Sequence, residues 1–123
     1  MAVQQPRVKD LDEVMLRAID EGLSSAVGET GARALYYHFE AYTNLRREDV
    51  LKKPEAFVGF LRSVFGAGSK ILERMIIQKL CSRFGIGLQE INTDDLAVVI
   101  ESLKMMTRSD KRRTGRVTNI FST

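Results

Sequence analysis

The chain has 123 residues, 44% of them hydrophobic and 28% charged, with one cysteine, one histidine and a net charge of +3. These proportions describe one ordinary globular domain with room for a real core, and they exclude an internal disulfide, a histidine-pair metal site and a membrane span, which needs roughly 18 consecutive apolar residues. The charge is uneven: residues 1–103 carry 13 basic and 15 acidic groups, net −2, whereas residues 104–123 carry six basic groups against Asp110, net +5. The N-terminal MAVQQPRVKD has no apolar stretch of the signal-peptide kind, and with Cys81 as the lone thiol the expectation is a cytoplasmic protein without membrane contact.

In chain order, a first helix is expected from Asp10, which with Glu13 has the form of a capping box. Leu11, Val14, Met15, Ala18, Ile19 and Leu23 share one face, and Gly22 on such a helix asks for a packing reason because it costs about 1 kcal/mol relative to Ala. Gly28 is a natural stop. Thr30 can then cap a second helix, with Glu29 at its positive end, whose core stripe is Leu35, Phe39 and Tyr42 supported by Ala32 and Tyr36. Beside that stripe runs a row of mostly small residues, Gly31, Ala34, His38 and Ala41, suited to close helix contact.

Asn44 to Lys53 breaks the pattern, though Leu45, Val50 and Leu51 can tuck this connector against the core. Pro54 then opens the longest organised stretch, to Phe84, with apolar residues at Phe57, Phe60, Leu61, Val64, Phe65, Ile71, Leu72, Met75, Ile76, Leu80 and Phe84. It reads either as one long helix kinked at glycine or as two hinged at Gly66-Ala67-Gly68, with Gly68 on the apolar stripe where a bare backbone admits another helix. Gly85 followed by Ile86 fits a Schellman cap. Leu88 and Ile91 anchor a second connector, and Asn92 or Thr93 can cap a last helix whose face is Leu96, Val99, Ile100, Leu103 and Met106. The expected fold is all-α, a compact bundle of four to five helices around a long, glycine-interrupted central one. The domain is expected to span residues 1–106, with 107–123 as a flexible basic tail.

Chemistry is sparse. Phe65-Gly-Ala-Gly-Ser-Lys70 fails as a phosphate loop, because that motif needs glycine directly before the lysine and a strand upstream. Tyr36, Tyr37 and His38, with Glu29 nearby, are the most capable cluster and a candidate ligand or contact site, but neighbours on a helix diverge by about 100°. No catalytic, metal or cofactor residue is assigned. Gly31, Ala34, Gly66 and Gly68 are candidate helix-packing or dimer contacts. Lys111, Arg112, Arg113 and Arg116 are candidate nucleic-acid contacts, although the tail lacks the interleaved aromatics that stack bases.

Gly22-Leu23-Ser24, Gly28-Glu29-Thr30-Gly31, Tyr36-Tyr37-His38 and Phe65-Gly66-Ala67-Gly68 together resemble a family of small archaeal helical domains, the nitrosopumilus output domain family, over residues 11–86. The resemblance implies an output role in signalling and brings no catalytic residues. Three functions follow as expectations: a non-enzymatic interaction domain, acting as a homodimer with protein partners; a nucleic-acid-associated regulator using the tail; and a small-molecule sensor or enzyme with a pocket near Tyr36–His38.

Overall fold

The computed structural model describes residues 8–87, 91 and 93–112, and side chains within 11–106 of that set. It is all-α, with no strand among the described residues: α1 (Val8–Thr43), a 3₁₀ turn (Arg47–Val50), α2 (Pro54–Phe65), a second 3₁₀ turn (Gly66–Gly68), α3 (Ser69–Phe84) and α4 (Leu96–Arg112). No described helix is long and apolar enough to cross a membrane.

α1 is not one continuous helix but two segments that meet at Gly28. Gly28 interrupts it at φ 84°, ψ 164°, a conformation open essentially to glycine alone. The Tyr36 hydroxyl donates to Asp20 Oδ1 at 2.6 Å. In a straight helix sixteen residues span about 24 Å, so the two halves of α1 fold back on each other about Gly28.

The second half ends at Thr43, and Pro54 starts α2 at its first position, where the missing N–H costs nothing. The connector between them behaves as expected: Val50 and Leu51 are buried and Leu45 packs against the core. After Phe65 the chain does not continue as one helix. Gly66 takes φ 57°, ψ −132°, three residues form a 3₁₀ turn, and α3 restarts in a new phase. Two residues of the expected core stripe lie outside: Ile71, at 68% exposure, follows that phase change, and Val64, at 51%, sits in the last turn of α2 past its last buried residue, Leu61.

The core is built by Met15, Ile19, Leu23, Phe39, Phe57, Leu61, Ile76, Leu80, Leu96, Ile100 and Leu103, all at most 1% exposed. Phe39 meets Phe57 edge-on (centroids 5.3 Å apart) and tilts against Phe60 (5.4 Å). The close helix approach lies at Gly22, where a Cβ would sit 2.6 Å from Ile76 Cα, which is the packing reason this glycine required. A Cβ on Gly68 would meet nothing nearer than Phe65 Cβ at 4.0 Å, and one on Gly66 nothing within 4 Å, so neither glycine admits a neighbouring helix of its own chain.

The ends of α3 and α4 follow local rules. Gly85 closes α3 in the left-handed region at φ 67°, its N–H and that of Ile86 donating to the Ser82 and Cys81 carbonyls in a Schellman pattern. Asp95, rather than Asn92 or Thr93, caps α4: its Oδ1 accepts from the Ala97 N–H at 3.0 Å, while Thr93 Oγ1 accepts from the Asp95 N–H. Asn92 and Leu88 lie outside the described residues. α4 runs to Arg112, past the boundary expected at residue 106. From Lys104 to Arg112 the sequence holds no glycine or proline to stop it.

Candidate functional site

Two sites emerge along the second half of α1, with Arg33 on the border between them. The inner one is polar. The Tyr36 hydroxyl and the Arg47 guanidinium converge on Asp20, with Arg47 Nε 3.1 Å from Oδ1 and Nη2 2.7 Å from Oδ2. Burial, then the hydrogen bond to Asp20, push the Tyr36 hydroxyl well above its ordinary range, so it stays a protonated donor. Tyr36 also stacks on Phe57 at 6.2 Å. A groove of about 260 Å³ opens here, lined by Asp20, Ser24, Glu29, Ala32, Arg33, Tyr36 and Arg47. Of the predicted cluster it gathers Glu29 and Tyr36 and leaves out Tyr37 and His38. Asp20 and Arg47 neutralise each other and tie the 3₁₀ turn to both halves of α1, while Glu29 and Arg33, also in the lining, make no ion pair among the described residues.

A second polar knot ties α2, α3 and α4 together, and no sequence pattern marks it. Glu73 is fully buried, yet accepts from Arg62 Nε (3.0 Å) and Nη2 (3.1 Å) and from Ser69 Oγ (2.6 Å). Burial alone would push its carboxyl up. The hydrogen bonds from Arg62 and Ser69, the Arg62 charge and the Leu96 backbone N–H outweigh burial and hold it below its ordinary value. Arg62 also lies 3.8 Å from Asp95. The charges are satisfied internally, as a structural clamp requires.

The outer site is a surface. Arg33, Ala34, Tyr37, His38, Glu40, Ala41 and Tyr42 are all exposed, and only Arg33 and Glu40 among them are charged. Tyr42, expected in the core, lies one residue from the end of α1 with its ring tilted against Phe60 (centroids 6.2 Å apart), and is 74% exposed; Tyr37 is 71% exposed. The rings of Tyr37 and His38 meet edge-on at 5.5 Å. Between α1 and α2 an open groove of about 370 Å³ is lined by His38, Ala41, Tyr42, Phe60, Ser63 and Val64.

The remaining predicted residues scatter. Ala34 is exposed within this face, and Gly31 is half-buried, a Cβ there meeting Val27 of its own helix at 3.0 Å. Gly66 and Gly68 are exposed at the α2–α3 turn. Cys81 is buried. Lys111 and Arg112 fall in the last turn of α4, while Arg113 and Arg116 lie outside the described residues. Among the described residues no group of three or more His, Cys, Asp or Glu is placed to hold a metal ion. Comparison with family models, curated proteins and solved structures finds no match.

Proposed function

We propose that this chain is a non-enzymatic helical interaction domain that works by binding protein, with a homodimer as its basic assembly. The observation that carries this reading is the outer face of α1. A helix face meant only for water is normally rich in lysine and glutamate, whereas this one presents two tyrosines, a histidine and two alanines with one charge of each sign. Tyrosine enrichment and charge depletion are the marks of interface cores. The apolar groove at its side, with Val64 on the rim, extends the same surface onto α2.

The resemblance to the archaeal output-domain family implies an output role in signalling, which is compatible with an interaction domain. The compact bundle is then a scaffold holding the face rigid, its polar knots fixing α1 against the 3₁₀ turn and α2 against α4. The nucleic-acid alternative rests on the tail sequence alone, and the small-molecule alternative on a groove in which Asp20 and Arg47 already pair.

The test is a double surface variant, Tyr37→Ser with Tyr42→Ser. It is expected to keep the wild-type melting temperature within a few degrees and to lose association in light scattering or partner capture. Unchanged association would count against this face as the interface.

A further inference from the structure

Resting on that reading, we propose that the occupant of the face is a second copy of this chain, laid antiparallel across it with Tyr37 at the two-fold axis, so that Arg33 of each copy meets Glu40 of the other. Charge complementarity along this face favours that pairing. Arg33 and Glu40 are the exposed charges nearest Tyr37, opposite in sign, four residues before and three after it, with the exposed Glu29 and Arg46 further out at either end. Seven residues are about two turns of helix, or roughly 10 Å. Turning such a helix end for end about Tyr37 brings each Arg33 within one residue of register with the other copy's Glu40, well within reach of both side chains. A parallel pairing would set Arg33 on Arg33 and Glu40 on Glu40, and like charges across an interface select against it.

Shape agrees with charge. Ala34 and Ala41 flank Tyr37 on the two adjoining turns, leaving room for the other copy's aromatic ring. Arg33 has no ion-pair partner among the described residues, and Glu40 holds only the exposed Arg46 at 3.5 Å, a contact that costs little to share. A standard interface covers about 800 Å² per partner, more than one short helix face supplies. The groove edged by Tyr42, Phe60 and Val64 lies beside that face and provides the additional contact area. An isologous pair is also the assembly that needs only one such surface.

The experiment is a charge-swap cycle on the full chain, read as the dimer dissociation constant by sedimentation equilibrium. Arg33→Glu and Glu40→Arg each convert two attractive pairs per dimer into repulsive ones and are expected to weaken association about tenfold or more. The combined variant restores the pairs with roles exchanged, and is expected to return within about threefold of wild type. Both residues are exposed, so melting should stay near wild type; if a reversal disturbs folding, Arg33→Gln and Glu40→Gln serve, with a smaller loss. A combined variant no better than the worse single one overturns the antiparallel register. If the tyrosine variant abolishes association while the charge variants leave it untouched, the interface stands and this geometry falls. A wild-type chain that remains monomeric at high micromolar concentration overturns the second copy as occupant.

Discussion

Alanine at Gly22 and at Gly59 should shift stability in opposite directions, although both glycines lie inside helices. On propensity alone each substitution gains about 1 kcal/mol. At Gly59 nothing lies within 4 Å of the new Cβ, so the gain is realised, at about 0.5–1 kcal/mol. At Gly22 the Cβ would sit 2.6 Å from Ile76 Cα and 2.7 Å from its Cγ1. The first of these is backbone and cannot swing aside, so α1 and α3 must separate locally by about 1 Å, at an overpacking cost of about 2–3 kcal/mol, the upper part of the usual range. The net expectation is a loss of about 1–2 kcal/mol, or roughly 3–8 °C in Tm for a domain of this size. Thermal unfolding followed by circular dichroism reads both variants. Gly22→Ala melting at or above wild type would refute the close approach of α1 and α3 and the reason given for that glycine.

The Glu73 clamp predicts an asymmetry. Arg62→Ala strands a buried carboxylate and should cost about 2–4 kcal/mol, at the low end for a broken buried pair because Arg62 is half-exposed; Glu73→Gln leaves the arginine to water and should cost about 1–2 kcal/mol in urea unfolding. The depressed Glu73 pKa stabilises the fold above the unfolded value near 4.3, and that contribution is lost as pH falls through the folded value. Glu73→Gln should therefore flatten the stability profile below about pH 4. Tyr36 has the opposite sign: its raised pKa gives stability that is complete below about pH 10 and lost as pH rises beyond it, so Tyr36→Phe should lessen alkaline unfolding while costing about 1 kcal/mol at neutral pH. Gly28→Ala should destabilise by about 1–3 kcal/mol, since φ 84° with ψ 164° excludes a side chain, and equal melting would argue against the fold-back there.

Local signals in the sequence carried the punctuation of this fold. Gly28, Pro54 and Gly85 each act through their own backbone chemistry, so their roles are legible one residue at a time. The buried faces of the first helix and of Leu96, Val99, Ile100 and Leu103 follow from a 100° period that holds while a helix is unbroken. The same reasoning misplaced Val64, which keeps the phase of Phe57, Phe60 and Leu61 but lies in the last turn of α2 past its last buried residue, and it misplaced Ile71 because it carried one phase across Gly66, where a positive φ resets it. It took Gly68 for a contact glycine for the same reason. Asp20, Tyr36 and Arg47 meet only because α1 folds back and the connector returns, and Glu73 is a charged residue whose partners, apart from Ser69 one turn back on α3, come from α2 and the start of α4. Separations of 11 to 27 residues leave no periodic trace. Within Tyr36-Tyr37-His38 the divergence of helix neighbours was legible and decisive: Tyr36 goes to the polar groove, and Tyr37 and His38 go to the outer face.

The most direct test of that outer face is the native mass of the freshly purified chain across a concentration series, beside the Tyr37→Ser, Tyr42→Ser variant. The account predicts a wild-type species of twice 13.9 kDa that dissociates on dilution, and a variant that stays at 13.9 kDa throughout. A wild-type chain at 13.9 kDa at every concentration, or a variant that dimerises as well as wild type, would contradict it.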